Sequence, residues 1–272
     1  MTRRLLRSRL ATKYAPTKNR SGDDESDTGL LFEHWLRSPL QESDLRAPVD
    51  VWENYGDESY RRDQSHWRDS SSRWEADRWE NVGRKTLSEI QKVYSFLGRD
   101  FHAECALEWG PGGGTNLLAI RSRVNQVYGV DISQKNLEES KRVLTEVSFA
   151  DFSPIRLQGD PVTVKHLFET SPDLIFSKAV FQHFPSKHYT AHVLAVLREI
   201  CAVNAVGYIQ FRYDDGRKKY RPKDSDYASN HITMTSFPIA EFWGLLAHVG
   251  FNPQYVTILN TRTNYAAVSF TS

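Results

Sequence analysis

From Cys105 to Phe270 the chain alternates short apolar runs with longer amphipathic ones, and few architectures accommodate that pattern. "CALEW" reads as a buried strand and "TNLLAIRS" as the start of a helix. "QVYGVDIS" is a strand and "KNLEESKRVLTEV" a helix. "SPIRLQGD" is a short strand, "PDLIFSKAVF" a longer one, "SKHYTAHVLAVLREICA" a helix and "AVGYIQFRYD" a strand. "IAEFWGLLAHVG" is a helix stopped by Gly250, and "PQYVTILN" and "NYAAVSF" close the chain as strands. Strands that alternate with helices form a parallel sheet covered on both faces. The last two strands are joined by a short polar turn, so they pair antiparallel. The expected fold class is α/β: seven strands, mostly parallel, helices on both faces, and an antiparallel C-terminal pair.

The chain ahead of this core has a different texture. Residues 30–101 are rich in Trp and charge, with weak periodicity at first. From Trp74 a helical pattern sets in: Trp79, Val82, Leu87, Ile90, Val93, Tyr94 and Leu97 recur at helical spacing, and Gly98 suits the helix end. Residues 1–29 read as a solvated, disordered tail, basic first and then polar through "SGDDESD". Its Arg-rich start also resembles an organelle presequence. The division expected is tail 1–29, helical segment 30–101 and ligand-binding domain 102–272.

Composition narrows the setting. A net charge of +1 calls for no nucleic-acid partner, and no apolar run is long enough to span a membrane. Cys105 and Cys201 stand far apart in apolar contexts and read as reduced core residues, so a cytoplasmic setting is expected. A homodimer stays open.

"ALEWGPGGGTNLLAI" follows the first strand, with Glu108 and then Gly110, Gly112, Gly113 and Gly114. Open α/β sheets bind ligands beyond the carboxyl ends of their strands, where strand order reverses. Glycines there let the backbone turn tightly and a ligand approach closely. A Val at Gly112 is therefore expected to block the ligand and spare the fold. The dinucleotide fingerprint G-x-G-x-x-G/A does not fit, because its third small position falls on Thr115 or Leu117. A phosphate loop ending in Gly-Lys-Ser/Thr is absent as well.

The spacing acid-x-G-x-G-x-G over Glu108, Gly110, Gly112 and Gly114 resembles motif I of the class I S-adenosylmethionine-dependent methyltransferases. The resemblance runs from about Cys105 to Phe270. It implies the Rossmann-like class I fold, with residues 30–101 as an N-terminal helical lid and S-adenosylmethionine as cofactor. A carboxylate suits a ligand that carries an ammonium and a sulfonium. Asp131, ending the second strand, then accepts the ribose hydroxyls, and Ile132 lies against adenine. Gly159 and Asp160 match the position that meets the adenine amino group, although Asp160 also suits a turn before Pro161. Ser177 and Trp67 complete the expected cofactor contacts; Trp67, Trp74 and Trp79 are candidates to shield the sulfonium by cation–π attraction, with packing of the lid on the core as the reading favoured for at least two of them.

"DLIFSKAVFQHFPSKHY" occupies the family's fourth motif. It lacks the [DN]-P-P-[FYW] of base amino-methylation and the Pro-Cys of cytosine C5 methylation, and it shows no carboxylate set for a metal. It resembles the small-molecule branch of the family. His183 is the candidate general base, a neutral imidazole able to take a hydroxyl proton. Capping or packing of the next helix is its other reading. His188 and His192 stand four apart without a third ligand, so they read as an ordinary helix face. Arg212, Tyr213 and Asp214 end the fifth strand and are expected to contact substrate, with the long segment 216–238 as a wall. The expected activity is metal-independent O-methylation of a small molecule, a sugar-like or natural-product acceptor. A catalytically silent, cofactor- or partner-binding domain and an NAD-dependent oxidoreductase are the alternatives.

Overall fold

The computed structural model describes residues 23–54, 56–223 and 226–272. The tail expected over residues 1–22, with its presequence reading, lies outside them. Residues 23–29 were expected to extend that tail, but they begin helix α1 (Asp23–Arg37). The lid continues with α2 (Glu42–Trp52), α3 (Glu58–Gln64) and α4 (Ala76–Phe96). Asp57 caps α3 by accepting the Tyr60 amide at 3.0 Å. Helix α4 covers the predicted periodic run and ends before Gly98, whose φ is +68°.

The core runs β1 (Ala103–Trp109), α5 (Thr115–Ile120), β2 (Val124–Asp131), α6 (Gln134–Glu146), β3 (Phe152–Arg156) and β4 (Leu174–Ser177). It continues α7 (Lys187–Ile200), β5 (Val206–Arg212), α8 (Tyr227–Asn230), α9 (Ile239–His248), β6 (Asn252–Asn260) and β7 (Tyr265–Thr271). The strands form one seven-stranded sheet in the order β3-β2-β1-β4-β5-β7-β6. Strands β1 to β5 pair parallel, and β7 pairs antiparallel with both β5 and β6. This is the fold the alternation predicts.

Each central strand feeds both faces, as a period of two requires. Leu107, Trp109 and Val130 pack into the cluster shared with α7 and α9. Ala106 and Val127 pack into the opposite cluster, which contains Ile90 and Val93 of α4 and Leu117 and Ile120 of α5. Strand β4 is shorter than the run "PDLIFSKAVF" suggests. The chain leaves the sheet after Ser177, and Ala179 takes a positive φ of 57°.

The lid is bonded to this core at several points. His188 and His192 on α7 hydrogen-bond through Nε2 to the Ser38 carbonyl (3.0 Å) and the Trp35 carbonyl (2.9 Å). Their work is to dock the end of α1. Trp79 is fully buried; its carbonyl accepts the Thr115 hydroxyl at 2.8 Å, and its indole donates to the His66 carbonyl at 2.7 Å.

Candidate cofactor and acceptor site

Strand order reverses at β1, between β2 and β4, and a cavity with about 830 Å³ of empty space opens beyond these strand ends. Its floor includes Trp109, Gly110, Pro111, Gly112 and Asn116, with Asp131 and Ile132 from the end of β2. Asp131 accepts the Ser133 amide through Oδ1 at 2.9 Å and the Gly112 amide through Oδ2 at 3.3 Å. Asn136 donates to both carboxylate oxygens at 3.4 Å while its own Oδ1 accepts the Trp67 indole at 2.9 Å. A chain of contacts from the lid thus fixes the carboxylate. Burial pushes the Asp131 carboxyl up to about 6, against the lowering effect of these hydrogen bonds.

Glu108 lies beneath this floor, fully buried and outside the cavity lining. Asn116 donates to its Oε1 at 2.6 Å, and its Oε2 has no partner. Burial pushes its carboxyl up to about 8. Its role is therefore to hold Asn116 at the cavity edge, and a full negative charge facing a cationic ligand is disfavoured near neutral pH.

The glycine loop does two jobs. Gly110 and Gly112 line the cavity, as the sequence suggests, while Gly114 caps α5 with φ +80°. A Cβ on Gly112 would sit 2.5 Å from the Ser65 carbonyl oxygen, and one on Gly113 would sit 2.3 Å from the His66 carbonyl oxygen. The lid backbone itself lies on the loop, with the Gly113 amide donating to the Ser65 carbonyl at 2.8 Å. The expectation that Val at Gly112 spares the fold is corrected: it would push the lid off the loop.

Other expected contacts fall elsewhere. Ser177 is fully buried and donates to the Trp109 carbonyl at 2.7 Å, tying β4 to β1. Asp160 caps its own turn by accepting the Val162 amide at 2.9 Å, and neither it nor Gly159 lines the cavity. Leu157 of the same connection does. Trp67 stands behind Asn136 rather than on the wall. The substrate role given to Arg212, Tyr213 and Asp214 finds no support, since none of them lines the cavity. Arg212 donates to the Lys219 carbonyl at 2.7 Å and so ties down the 216–238 segment, and Asp214 accepts the Gly216 amide at 2.7 Å.

The roof centres on His183. Its Nδ1 lies 2.7 Å from the His231 carbonyl, which can only accept, so Nδ1 carries the proton. Its Nε2 then accepts the Gln182 amide at 3.0 Å. Burial lowers its pKa to about 4, although the bond to His231 works against that shift. Trp52 packs its edge on the His183 ring at 5.0 Å and donates to the Tyr227 hydroxyl at 3.0 Å, which donates to the His183 carbonyl at 2.7 Å. Trp52 and Tyr227 line the cavity, as do Lys178 and His66. The Lys178 ammonium pairs with Glu89, which also accepts the Tyr208 hydroxyl at 2.7 Å. Burial lowers the His66 pKa to about 4. Of these four residues only Lys178 falls within a motif, and Tyr227 lies in the 216–238 segment expected as a wall. Only the Trp-richness of the lid pointed toward Trp52.

The family model for a methyltransferase domain matches residues 107–207, which run from β1 into β5 and carry the loop, Asp131 and His183. Residues 107–207 thus match a methyltransferase domain, within a sheet that has the class I methyltransferase fold. The class takes S-adenosylmethionine as methyl donor. Among solved structures the domain is similar to magnesium protoporphyrin IX methyltransferase (ChlM) from Synechocystis PCC 6803 with bound SAM. That match has 16% identity and a TM-score of 0.58, and covers 86% of this chain and 99% of the other. It is also similar to the N-methyltransferase NodS from Bradyrhizobium japonicum WM9, with 8% identity, a TM-score of 0.51, and coverage of 70% of this chain and 95% of the other. No curated protein matches the chain in sequence. Among the described residues no helix is long and apolar enough to cross a membrane.

Proposed function

We propose that the cavity holds S-adenosylmethionine and that the chain transfers its methyl group, without a metal, to a hydroxyl of a small molecule of sugar-like or natural-product type. The observation that carries this reading is the fixed carboxylate of Asp131 beside the Gly112 amide. An acceptor-only group ending the second strand suits two vicinal hydroxyl donors. Ile132, Val130 and Leu157 supply apolar surface beside it for a flat ring. The residues present therefore fit the cofactor, with Gly110, Gly112, Asp131 and Ile132 holding it. The bound cofactor supplies an electrophilic methyl group on a sulfonium.

The chain supplies position, dryness and a proton acceptor. Trp52 and Tyr227 close the cavity above His183 and keep water from it. The proton on His183 Nδ1, held by the His231 carbonyl, leaves Nε2 as the acceptor for a hydroxyl proton. An incoming hydroxyl must displace the Gln182 amide from Nε2.

That engagement also favours a second reading, transfer to an amine that is already nucleophilic and needs no base. NodS, a structural neighbour, is itself an N-methyltransferase. Incubating the protein and a cell extract with cofactor carrying a labelled methyl group, followed by mass spectrometry of the products, tests both. A labelled ether supports the first reading and a labelled amine the second. A protein that binds S-adenosylhomocysteine but labels nothing points to a silent domain.

A further inference from the structure

His66 follows α3 and lines the cavity from the lid side. Its φ of 58° lies in the left-handed region, which side chains adopt at a cost. Its amide donates to the Asp63 carbonyl at 3.2 Å, and its carbonyl accepts the Trp79 indole at 2.7 Å and rests against Gly113. Its ring lies 4.1 Å from the Trp74 ring, whose indole nitrogen donates to the Asp63 carbonyl at 2.7 Å. Backbone and ring are thus fixed from several sides. Yet neither ring nitrogen has a hydrogen-bond partner among the described residues, and neither is sealed from the cavity.

His183, the other imidazole on the cavity wall, has both nitrogens engaged, Nδ1 by the His231 carbonyl and Nε2 by the Gln182 amide. His66 meets a ligand without displacing anything. A pinned ring with unpaired polar atoms on a cavity wall marks a binding position. With a pKa near 4, lowered by burial first and then by the nearby Arg73 and His183, and opposed by Asp63, the ring is neutral at neutral pH. One of its nitrogens then donates and the other accepts. A hydroxyl satisfies either nitrogen, whereas a carboxylate only accepts and an ammonium only donates. In the proposed function the cofactor's ribose hydroxyls belong to Asp131, and its amino-acid end is charged. The hydroxyl that suits His66 therefore comes from the acceptor.

We propose that His66 holds one hydroxyl of the acceptor while His183 faces the hydroxyl that is methylated, so the acceptor bears at least two hydroxyls and the product keeps one. The attacking oxygen gains the methyl carbon and gives its proton to His183 Nε2. The carbon–sulfur bond pair stays on sulfur, and His66 neither gains nor loses a proton. This deepens the proposed function and rests on it.

The test uses the full chain, wild type and two variants. His66→Phe keeps an aromatic ring beside Trp74 but has no nitrogen. His66→Asn keeps a donor and an acceptor and tolerates the left-handed backbone. Each protein is incubated with a cell extract and cofactor carrying a labelled methyl group. The initial rate of labelling and the labelled products are read by mass spectrometry, with and without acetylation of free hydroxyls. S-adenosylhomocysteine affinity is read by calorimetry, and the melting temperature is recorded. His66→Phe should label about 10- to 100-fold more slowly, with His66→Asn in between. Both should bind S-adenosylhomocysteine as wild type does, and the labelled ether should still acetylate. The proposal is overturned if folded His66→Phe labels at the wild-type rate, or if the labelled product is not an ether that keeps a free hydroxyl. It is overturned too if S-adenosylhomocysteine affinity falls with the rate, which makes His66 a cofactor contact. Failure of both variants to fold overturns it by making His66 a structural residue. A wild-type protein that labels nothing overturns the transfer reading, and this proposal falls with it.

Discussion

The floor of the cavity comes from two adjacent strand ends: Gly110 and Gly112 after β1, and Asp131 and Ile132 at the end of β2. The roof comes from segments far apart in sequence: Trp52 on α2, His183 after β4, and Tyr227 and His231 beyond β5. The floor is built by backbone geometry, with its residues near one another along the chain. The roof is built by aromatic edges and single hydrogen bonds between segments that meet only in the folded protein. Local spacing therefore encodes the first and not the second.

The largest expected effect couples the two. Gly112→Val places a side chain against the Ser65 carbonyl at a backbone φ of 53°, so floor and lid separate. S-adenosylhomocysteine binding should become undetectable by calorimetry, and the melting temperature should fall by roughly 5–10 °C. A stable variant with an unchanged melting temperature would show that the lid does not rest on the loop.

His183→Ala breaks the roof alone. Turnover should fall by about 10²- to 10⁴-fold with S-adenosylhomocysteine affinity nearly unchanged. With the folded pKa near 4, the imidazole is already neutral above that value. The wild-type rate should then show no His183 ionisation between about pH 6 and about pH 8. Normal turnover in a variant that melts early would instead make His183 a structural cap and favour an amine acceptor.

The floor also carries a pH signature. Burial raises the Asp131 carboxyl to about 6, and its ionised form is the stronger acceptor for two hydroxyls. Cofactor affinity should be full above that value and fall as pH drops through it, and Asp131→Asn should lose this dependence. Glu108 supplies a stability signature of opposite direction. Its folded pKa, near 8, lies above the ordinary carboxyl value, so the native state gains relative to the unfolded chain while the group stays protonated. That gain is full at low pH and is lost as pH rises toward about 8. Glu108→Gln should therefore melt higher than wild type, by a margin that widens from about pH 5 to about pH 8. A margin constant with pH would place the carboxylate's ionisation elsewhere.

The smallest effect belongs to Asp160→Ala. Its carboxylate caps a turn, so S-adenosylhomocysteine affinity should change less than about threefold. A tenfold loss would return Asp160 to the adenine site.

The sheet order and the antiparallel closing pair were legible because apolar runs of strand length alternate with amphipathic helices. The place of Asp131 on the cavity floor was legible because it ends a strand one unit after the glycines. Arg212, Tyr213 and Asp214 were not: Arg212 ends β5 and the other two follow it, and the 216–238 segment folds back and takes the polar groups of Arg212 and Asp214. Ser177 failed for a similar reason, since a strand-end hydroxyl serves the neighbouring strand as readily as a ligand. Trp52 and Tyr227 carry no periodic signal, and their meeting depends on the docking of α2 against the far half of the chain. The helix beginning at Asp23 was hidden by polar composition, which resembles a linker.

Calorimetric titration of wild type and Asp131→Ala with S-adenosylhomocysteine, and of wild type with NAD, tests the central claim most directly. One saturable S-adenosylhomocysteine site in wild type, a loss of about 2–3 kcal/mol in Asp131→Ala, and no heat with NAD are the expected results. Equal S-adenosylhomocysteine affinity in the two proteins, or saturable NAD binding, would contradict that claim.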